Sequence, residues 1–440
     1  MKKYLAITCL ILLLSWKLSG QEVLTLGDAI SIGLVHNFDI NISKNTFREA
    51  HNNATPGAAG MLPVIDINAG YTKSLTDAKV DVVTGSELDN PKAQTDVLSA
   101  GLGLTWTLFD GLKMFITYDK LKKLEACSEI SARITIENTV ARIIAGYYEI
   151  IRQGRVLQIM NEQVEISRFR LDLARMQYET GTGSEMEYLK ARVELNADIA
   201  GLSNQKTLFE NSKTTLNDLL SRDVNTKFTV TDSIPVREPL NYDTLHLAMK
   251  RSNRNLILAI LNKQVAETEV KSARASQWPT LGLNASYNYY RLETDANFIQ
   301  YNRNFGPLVG LTLNMRIFDG LNLKRQYKNA AISMESMEIQ RAQVENRLDA
   351  YLTRIFNEYQ NQMEMIGFEE VNMALAVRNM EIAKTSYAIG SISSLQLREV
   401  QEDLLNARTR LVTAQFKAKL TETELLLLSG ELIDEDSVKL

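Results

Sequence analysis

The chain has 440 residues, 23% of them charged, with a formal net charge of -4. That length allows two or three ordinary domains, and the lack of a basic excess gives no sign of nucleic acid as a partner. Only Cys9 and Cys127 are present, and His36, His51 and His246 have no ligand spacing, which excludes a disulfide scaffold and a cysteine-built zinc cluster.

Residues 1–20 read as a secretory signal: Lys2 and Lys3 form a basic start, Leu5 to Trp16 an apolar run, and Ser19-Gly20 the small residues before Gln21. Cys9 lies inside the apolar run, which argues against a lipoprotein. Without these residues the formal charge is -7. No later run of about 20 apolar residues exists, so a mature chain that crosses a membrane does so with strands.

A helical segment at 25–60 precedes an alternating strand opened by Pro63, with Ile65, Ile67, Ala69 and Tyr71 on one face and Asp66, Asn68 and Gly70 on the other. Residues 73–97 carry Asp77, Lys79, Asp81, Glu87, Asp89, Asn90 and Pro91 and read as an exposed loop. A second strand sets Leu102, Leu104, Trp106 and Leu108 against Gly103, Thr105 and Thr107. Phe109-Asp110-Gly111 then leads into a proline-free tract running to Gly181, whose Ile136, Val140, Ile143, Tyr147 and Ile151 recur at the spacing of packed helices. Thr180-Gly181-Thr182-Gly183-Ser184 reads as a helical turn, Gly181 closing one helix and Ser184 capping the next, which runs to 221. Residues 222–240 form a linker.

From 241 the pattern repeats. Asn37-x-Asp39 and Leu62-Pro63 return as Asn253-x-Asn255 and Trp278-Pro279, while Leu108-Phe109-Asp110-Gly111 and Tyr178-x-x-Gly181 return as Ile317-Phe318-Asp319-Gly320 and Tyr387-x-x-Gly390. The second strand pair alternates through Tyr289 and, after a loop at 292–306, from Val309 to Ile317. A second long tract joins Gly320 to Gly390, Ser391 and Ser393 mark its turn, and the returning helix ends near 429. The predicted organisation is therefore a signal at 1–20, a first repeat at 21–221 (strand pair 63–109, helical hairpin 112–221), the linker 222–240, a second repeat at 241–429 (strand pair 280–318, helical hairpin 321–429) and a tail at 430–440. All seven prolines fall outside the long tracts.

The same alternation suits a sheet packed on helices. The secretion signal and the aromatics Trp106, Tyr287, Tyr289 and Tyr290 lean toward a membrane barrel. Four strands cannot close such a barrel, so several protomers must contribute. No nucleophile–base–acid set, paired carboxylates or phosphate-binding loop stands out, and Gly181-x-Gly183 joins helix to helix, the wrong setting for a nucleotide. The reading is a non-enzyme without a cofactor.

The duplicated unit, the two Phe-Asp-Gly junctions, Tyr-x-x-Gly at both tips and the stretch from Leu397 to Ala407 together resemble the outer membrane efflux protein family, the TolC-like outer membrane factors. The likeness covers nearly the whole mature sequence; the short tail and the extended second half of the first loop depart from it. It implies a mainly α protein with membrane β: a homotrimer with a 12-stranded barrel in the outer membrane of a Gram-negative bacterium, in contact with its lipid, and a helical coiled-coil tunnel in the periplasm. It also implies a periplasmic adaptor (membrane fusion) protein and an inner-membrane pump of RND or ABC type, serving efflux or, alternatively, type I protein secretion. By position, adaptor docking would fall on Tyr178, Gly181, Thr182, Gly183, Ser184, Tyr387, Gly390, Ser391 and Ser393. Asp172 and Glu381, nine residues before the tip glycines, would supply six carboxylates per trimer as a gate or cation filter, with Arg168, Arg170 and Arg378 near enough in sequence to neutralise them. Phe109, Asp110, Gly111, Phe318, Asp319 and Gly320 would be structural strand-to-helix junctions. A non-conducting secreted helical scaffold is the reading from another class.

Overall fold

In the computed structural model, residues 22–433 are described, apart from 82, 84, 86, 232 and 236–238. The signal at 1–20, most of the tail at 430–440 and part of the linker at 222–240 therefore lie outside the described residues. The fold is mainly helical, and no helix among the described residues is long and apolar enough to cross a membrane. The chain divides into two compact units, each built from both repeats.

One unit (46–130 and 257–344) holds a four-stranded antiparallel sheet of β2 (Val64–Asp81), β3 (Glu87–Phe109), β5 (Thr280–Thr294) and β6 (Tyr301–Asn314), in the order β2-β3-β5-β6. The register turns the sequence alternation into continuous rows. Ile65, Leu104, Ala285 and Val309 lie side by side, as do Ile67, Leu102, Tyr287 and Pro307, and then Ala69, Ala100, Tyr289 and Phe305. These rows form one apolar face, with Ile67 81% and Val309 73% exposed. Opposite them run Asp66, Gly103 and Ser286, then Asn68, Gly101 and Asn288. An apolar face this broad on an antiparallel sheet, left uncovered, needs a non-aqueous neighbour.

Two sequence expectations need correction. The segments 73–97 and 292–306, read as loops for their charge, are largely strand: β2 and β3 pair out to Asp81↔Glu87, and β5 and β6 to Glu293↔Tyr301. Charged side chains are no obstacle on a two-stranded ribbon, where Lys79 and Glu87 form an ion pair between the strands. The last strand stops at Asn314 rather than continuing to Ile317, because its partner β5 begins at Thr280, right after Pro279, which has no N–H to offer.

The other unit is mainly helical, and several of the helices divide between the two units. Helices α1 (Leu26–His36), α2 (Phe38–Asn53), α3 (Lys113–Glu179) and α4 (Glu185–Leu219) belong to the first repeat. Helices α5 (Tyr242–Ser252), α6 (Arg254–Ala275), α7 (Asn322–Ala388) and α8 (Ser394–Ser429) are their counterparts in the second. Within this unit (up to Asn45, Ser131–Leu256, and from Glu345), the stripe Val140, Ile143, Tyr147 and Ile151 is buried together with Leu24, Leu216 and Phe228. Leu24 and Phe228 belong to β1 (Glu22–Leu24) and β4 (Phe228–Val230), a short parallel ladder not visible in the sequence pattern. Tyr147 donates its hydroxyl to the Leu24 carbonyl at 3.1 Å.

The duplicated asparagines explain themselves here. Asn37 accepts from the Ile40 amide and donates to the Leu219 carbonyl at 2.8 Å; Asn253 accepts from the Leu256 amide and donates to the Leu428 carbonyl at 2.9 Å. One buried side chain thus caps the start of a helix and satisfies the end of the returning one, in each repeat.

Candidate functional site: the helix tips

Both hairpin turns are built by the same chemistry. After α3, Gly181 takes φ +73°, and the amides of Thr182 and Gly183 both donate to the Gln177 carbonyl at 2.9 Å. Thr180 donates its hydroxyl to the Met176 carbonyl at 2.9 Å, and Ser184 accepts from the Glu187 amide at 3.2 Å to start α4. A Cβ on Gly183 would lie 2.8 Å from that of Gln177, so the turn has no room for a side chain there. After α7, Gly390 takes φ +75°, the Ser391 amide donates to the Ser386 carbonyl at 2.8 Å, and Ser393 forms a reciprocal capping box with Gln396.

The two tyrosines of the repeated Tyr-x-x-Gly differ. Tyr178 is exposed and stacks flat on Tyr188, centroids 5.9 Å apart. Tyr387 is 4% exposed and packs among Ile166, Met380, Leu397 and Leu404; burial pushes its hydroxyl pKa up. Thr182, Ser184, Gly390, Ser391 and Ser393 line the tips, where most positions are exposed.

Asp172 and Glu381 are both exposed. Arg378 donates to Glu381 at 3.1 Å, whereas Arg168 is turned to Glu165 and Arg170 to Glu194, so Asp172 receives neither arginine.

A buried polar network joins the helices of the two hairpins, and of its members the sequence points only to Arg170, as a possible neutralising charge. Arg170 is fully buried; it donates to Glu194 while its Nε and Nη1 find no partner among the described residues. Burial lowers its pKa, an effect that Glu194 opposes. Arg398 donates to both oxygens of Asp198, at 2.7 and 3.1 Å, and to Glu402 at 2.7 Å. Burial works against its charge, but these hydrogen bonds outweigh it and raise its pKa. Ser167 donates to Asp198, and Gln401 donates to Ser167 and to the Gln163 carbonyl. Helices α3, α4 and α8 are thereby tied by polar groups. The signal existed: Arg170 falls in the buried stripe Ile166, Arg170, Ala174, where an apolar residue belongs.

At the strand-to-helix junctions, Gly111 at φ +73° is enclosed: a Cβ there would meet the Ala275 carbonyl oxygen at 2.5 Å and the Trp278 Cβ at 2.6 Å. Gly320, at φ +70°, has nothing closer than 3.8 Å. Asp319 accepts from the Leu323 amide at 2.9 Å to start α7, while Asp110 keeps one buried oxygen unpaired among the described residues. Phe109 and Phe318 are both exposed, at 36% and 79%.

A duplicated chain that joins an apolar-faced antiparallel sheet to long helical hairpins has the architecture of outer-membrane channel proteins. The chain belongs to the outer membrane efflux protein family, whose model matches residues 29–222 and 247–431. It is a protein of the Gram-negative outer membrane. It is similar to "Outer membrane protein TolC" of Vibrio cholerae, 18% identical over 390 residues, covering 87% of this chain and 85% of that one. It is also similar to "Proteases secretion protein PrtF" of Dickeya chrysanthemi, 20% identical with 87% and 83% covered. Among solved structures, the fold is shared with the Campylobacter jejuni CmeC outer membrane channel (TM-score 0.79, 15% identity, 96% and 91% covered). It is shared as well with VceC of Vibrio cholerae (TM-score 0.76, 17% identity, 92% and 96% covered).

Proposed function

We propose that this protein is the passive exit duct of a tripartite efflux assembly, receiving solutes from a periplasmic adaptor and an inner-membrane pump. The observation that carries the reading is the sheet: a continuous apolar face with β2 and β6 left as edges unpaired among the described residues. Open edges are not tolerated in hydrocarbon, so the sheet closes with copies of itself, and three chains give twelve strands around a polar lumen. An aqueous lumen removes the desolvation barrier that a charged or amphiphilic solute meets in lipid. The exposed tip residues Tyr178, Thr182, Ser184, Ser391 and Ser393 are the surface offered to the adaptor, with Gly181, Gly183 and Gly390 shaping the turns. Buried Tyr387 acts there by supporting the second hairpin. Asp172 and Glu381, both exposed, are the acids of the periplasmic gate and cation filter in this reading.

The test is deletion of the gene followed by measurement of dye, bile-salt and antibiotic retention. Efflux predicts increased retention, restored by the gene; unchanged retention overturns it. The likeness to a protease-secretion protein supports a second reading, type I secretion. That reading predicts unchanged retention and the loss of one secreted protein from the medium. A monomer that fractionates without detergent would return the chain to the class of secreted scaffolds.

A further inference from the structure

The apolar face of the sheet ends abruptly toward the turn that joins β5 to β6. Past the row of Tyr289 and Phe305, the next row on the same face sets Arg291 of β5 directly opposite Arg303 of β6. Tyr71 and Leu98 complete that row, and Lys73, Asp96, Glu293 and Tyr301 make the one after it. Like charges directly opposite on neighbouring strands repel, with Cβ atoms only about 5 Å apart.

The local acids do not resolve the pair. Glu293 is taken by Arg291, which it receives through Nε at 2.9 Å and through Nη2. Asp96 accepts from Tyr71 and Gln94, both at 2.5 Å, and pairs with Lys73 at 3.8 Å. Three cations face two carboxylates, and Arg303 makes no ion pair among the described residues; its guanidinium lies 5.9 Å from the Phe305 ring.

We propose that Arg291 and Arg303 form a binding site for the phosphate group of a membrane lipid headgroup. A phosphate oxygen triad matches the guanidinium fork and turns the repulsive pair into two charge-assisted contacts. The adjoining row of Tyr289 and Phe305, and the apolar rows beyond it, lie where the lipid's acyl chains would follow. That continuity selects a lipid over a soluble anion: the same phosphate without chains gains nothing from the apolar rows. The inference rests on the outer-membrane reading of the sheet.

The test uses full-length protein in detergent and native mass spectrometry with three probes: lipid A (a glycolipid bearing phosphate monoesters), the same glycolipid dephosphorylated, and inorganic phosphate. Lipid A should bind best, and Arg291→Gln with Arg303→Gln should weaken it about tenfold. Arg303→Lys should restore part of the loss. Without lipid, Arg303→Gln should be as stable as the parent or more so, because a repulsion has been removed. Equal binding of the dephosphorylated glycolipid, or no loss in the double variant, would overturn the proposal. Inorganic phosphate binding as tightly as lipid A would overturn its lipid half. Outer-membrane fractionation is scored separately: protein found there without phosphate-selective binding sinks this inference alone, whereas soluble protein sinks the membrane reading beneath it.

Discussion

Asp198→Ala should loosen both helix tips without unfolding the rest of the chain. The Asp198 carboxylate holds Arg398 through two hydrogen bonds and accepts from Ser167, joining α4 to α8 and α3. Removing one partner of a buried ion pair costs about 3–5 kcal/mol. The side chains here retain 10% and 17% exposure, and Arg398 keeps Glu402, so the expected cost falls to about 2 kcal/mol. For comparison, loss of the Ser184 cap in Ser184→Ala should cost about 1 kcal/mol. Hydrogen exchange of the native protein reads these as local opening energies. Amides of α4 on the tip side of Asp198 and of the α8 turns following Arg398 should exchange about thirtyfold faster in Asp198→Ala, against about fivefold for the first turns of α4 in Ser184→Ala. Amides of α1 should not change. The reasoning fails if Ser184→Ala has the larger effect, or if protection falls evenly along the chain.

Gly111→Ala should destabilise far more than Gly320→Ala. Both place a side chain at positive φ, at about 1–2 kcal/mol, but only Gly111 also forces a clash with Ala275 and Trp278; yields of folded oligomer that fall equally would refute this. Burial raises the Glu424 pKa. A raised carboxyl pKa contributes stability below the unfolded value and loses it as pH rises through the folded one, so Glu424→Gln should flatten the decline in stability above about pH 4 in urea titrations. Glu369, held low chiefly by its hydrogen bond from Arg410, works in the opposite sense, and Glu369→Gln should remove stability near neutral pH that the parent loses only on acidification. Asp172→Asn with Glu381→Gln should reduce cation preference in bilayer conductance at low salt, and an unchanged preference would remove both acids from ion selection.

The helices and tips were legible in the sequence because their determinants are local. Glycines at 181 and 390, serines at 184 and 393 and proline-free tracts between fixed glycines act through the nearest turn of backbone. The strand faces were legible for the same reason, period-two alternation surviving in Ile65, Ile67 and Ala69. What failed to show was long-range. β1 and β4 are three residues each, and Glu22 and Phe228 meet across more of the chain than any local pattern can encode. The ribbon ends of β2 and β3 are hidden in the sequence because their charges mimic a loop, although a ribbon needs backbone partners and not apolar side chains. Arg170 reads in sequence only as a charge near Asp172, and nothing local marks Asp198; their burial depends on α4 and α8 packing against α3.

The middle of the sheet carries a consequence for how this chain is made. β3 belongs to the first repeat and β5 to the second, and their ladder pairs residues such as Leu104 with Ala285. No amount of folding in the first repeat alone can complete that ladder; the chain must be synthesised past Thr294 before β3 gains its second neighbour. Long-range pairing of this kind is slow, since the intervening chain must be gathered first. Until then the apolar rows of the first hairpin stand half-paired, the state most prone to stick to the wrong partner. Completion of the membrane-seeking surface is thereby tied to synthesis of the second repeat, and the first repeat alone cannot present it whole.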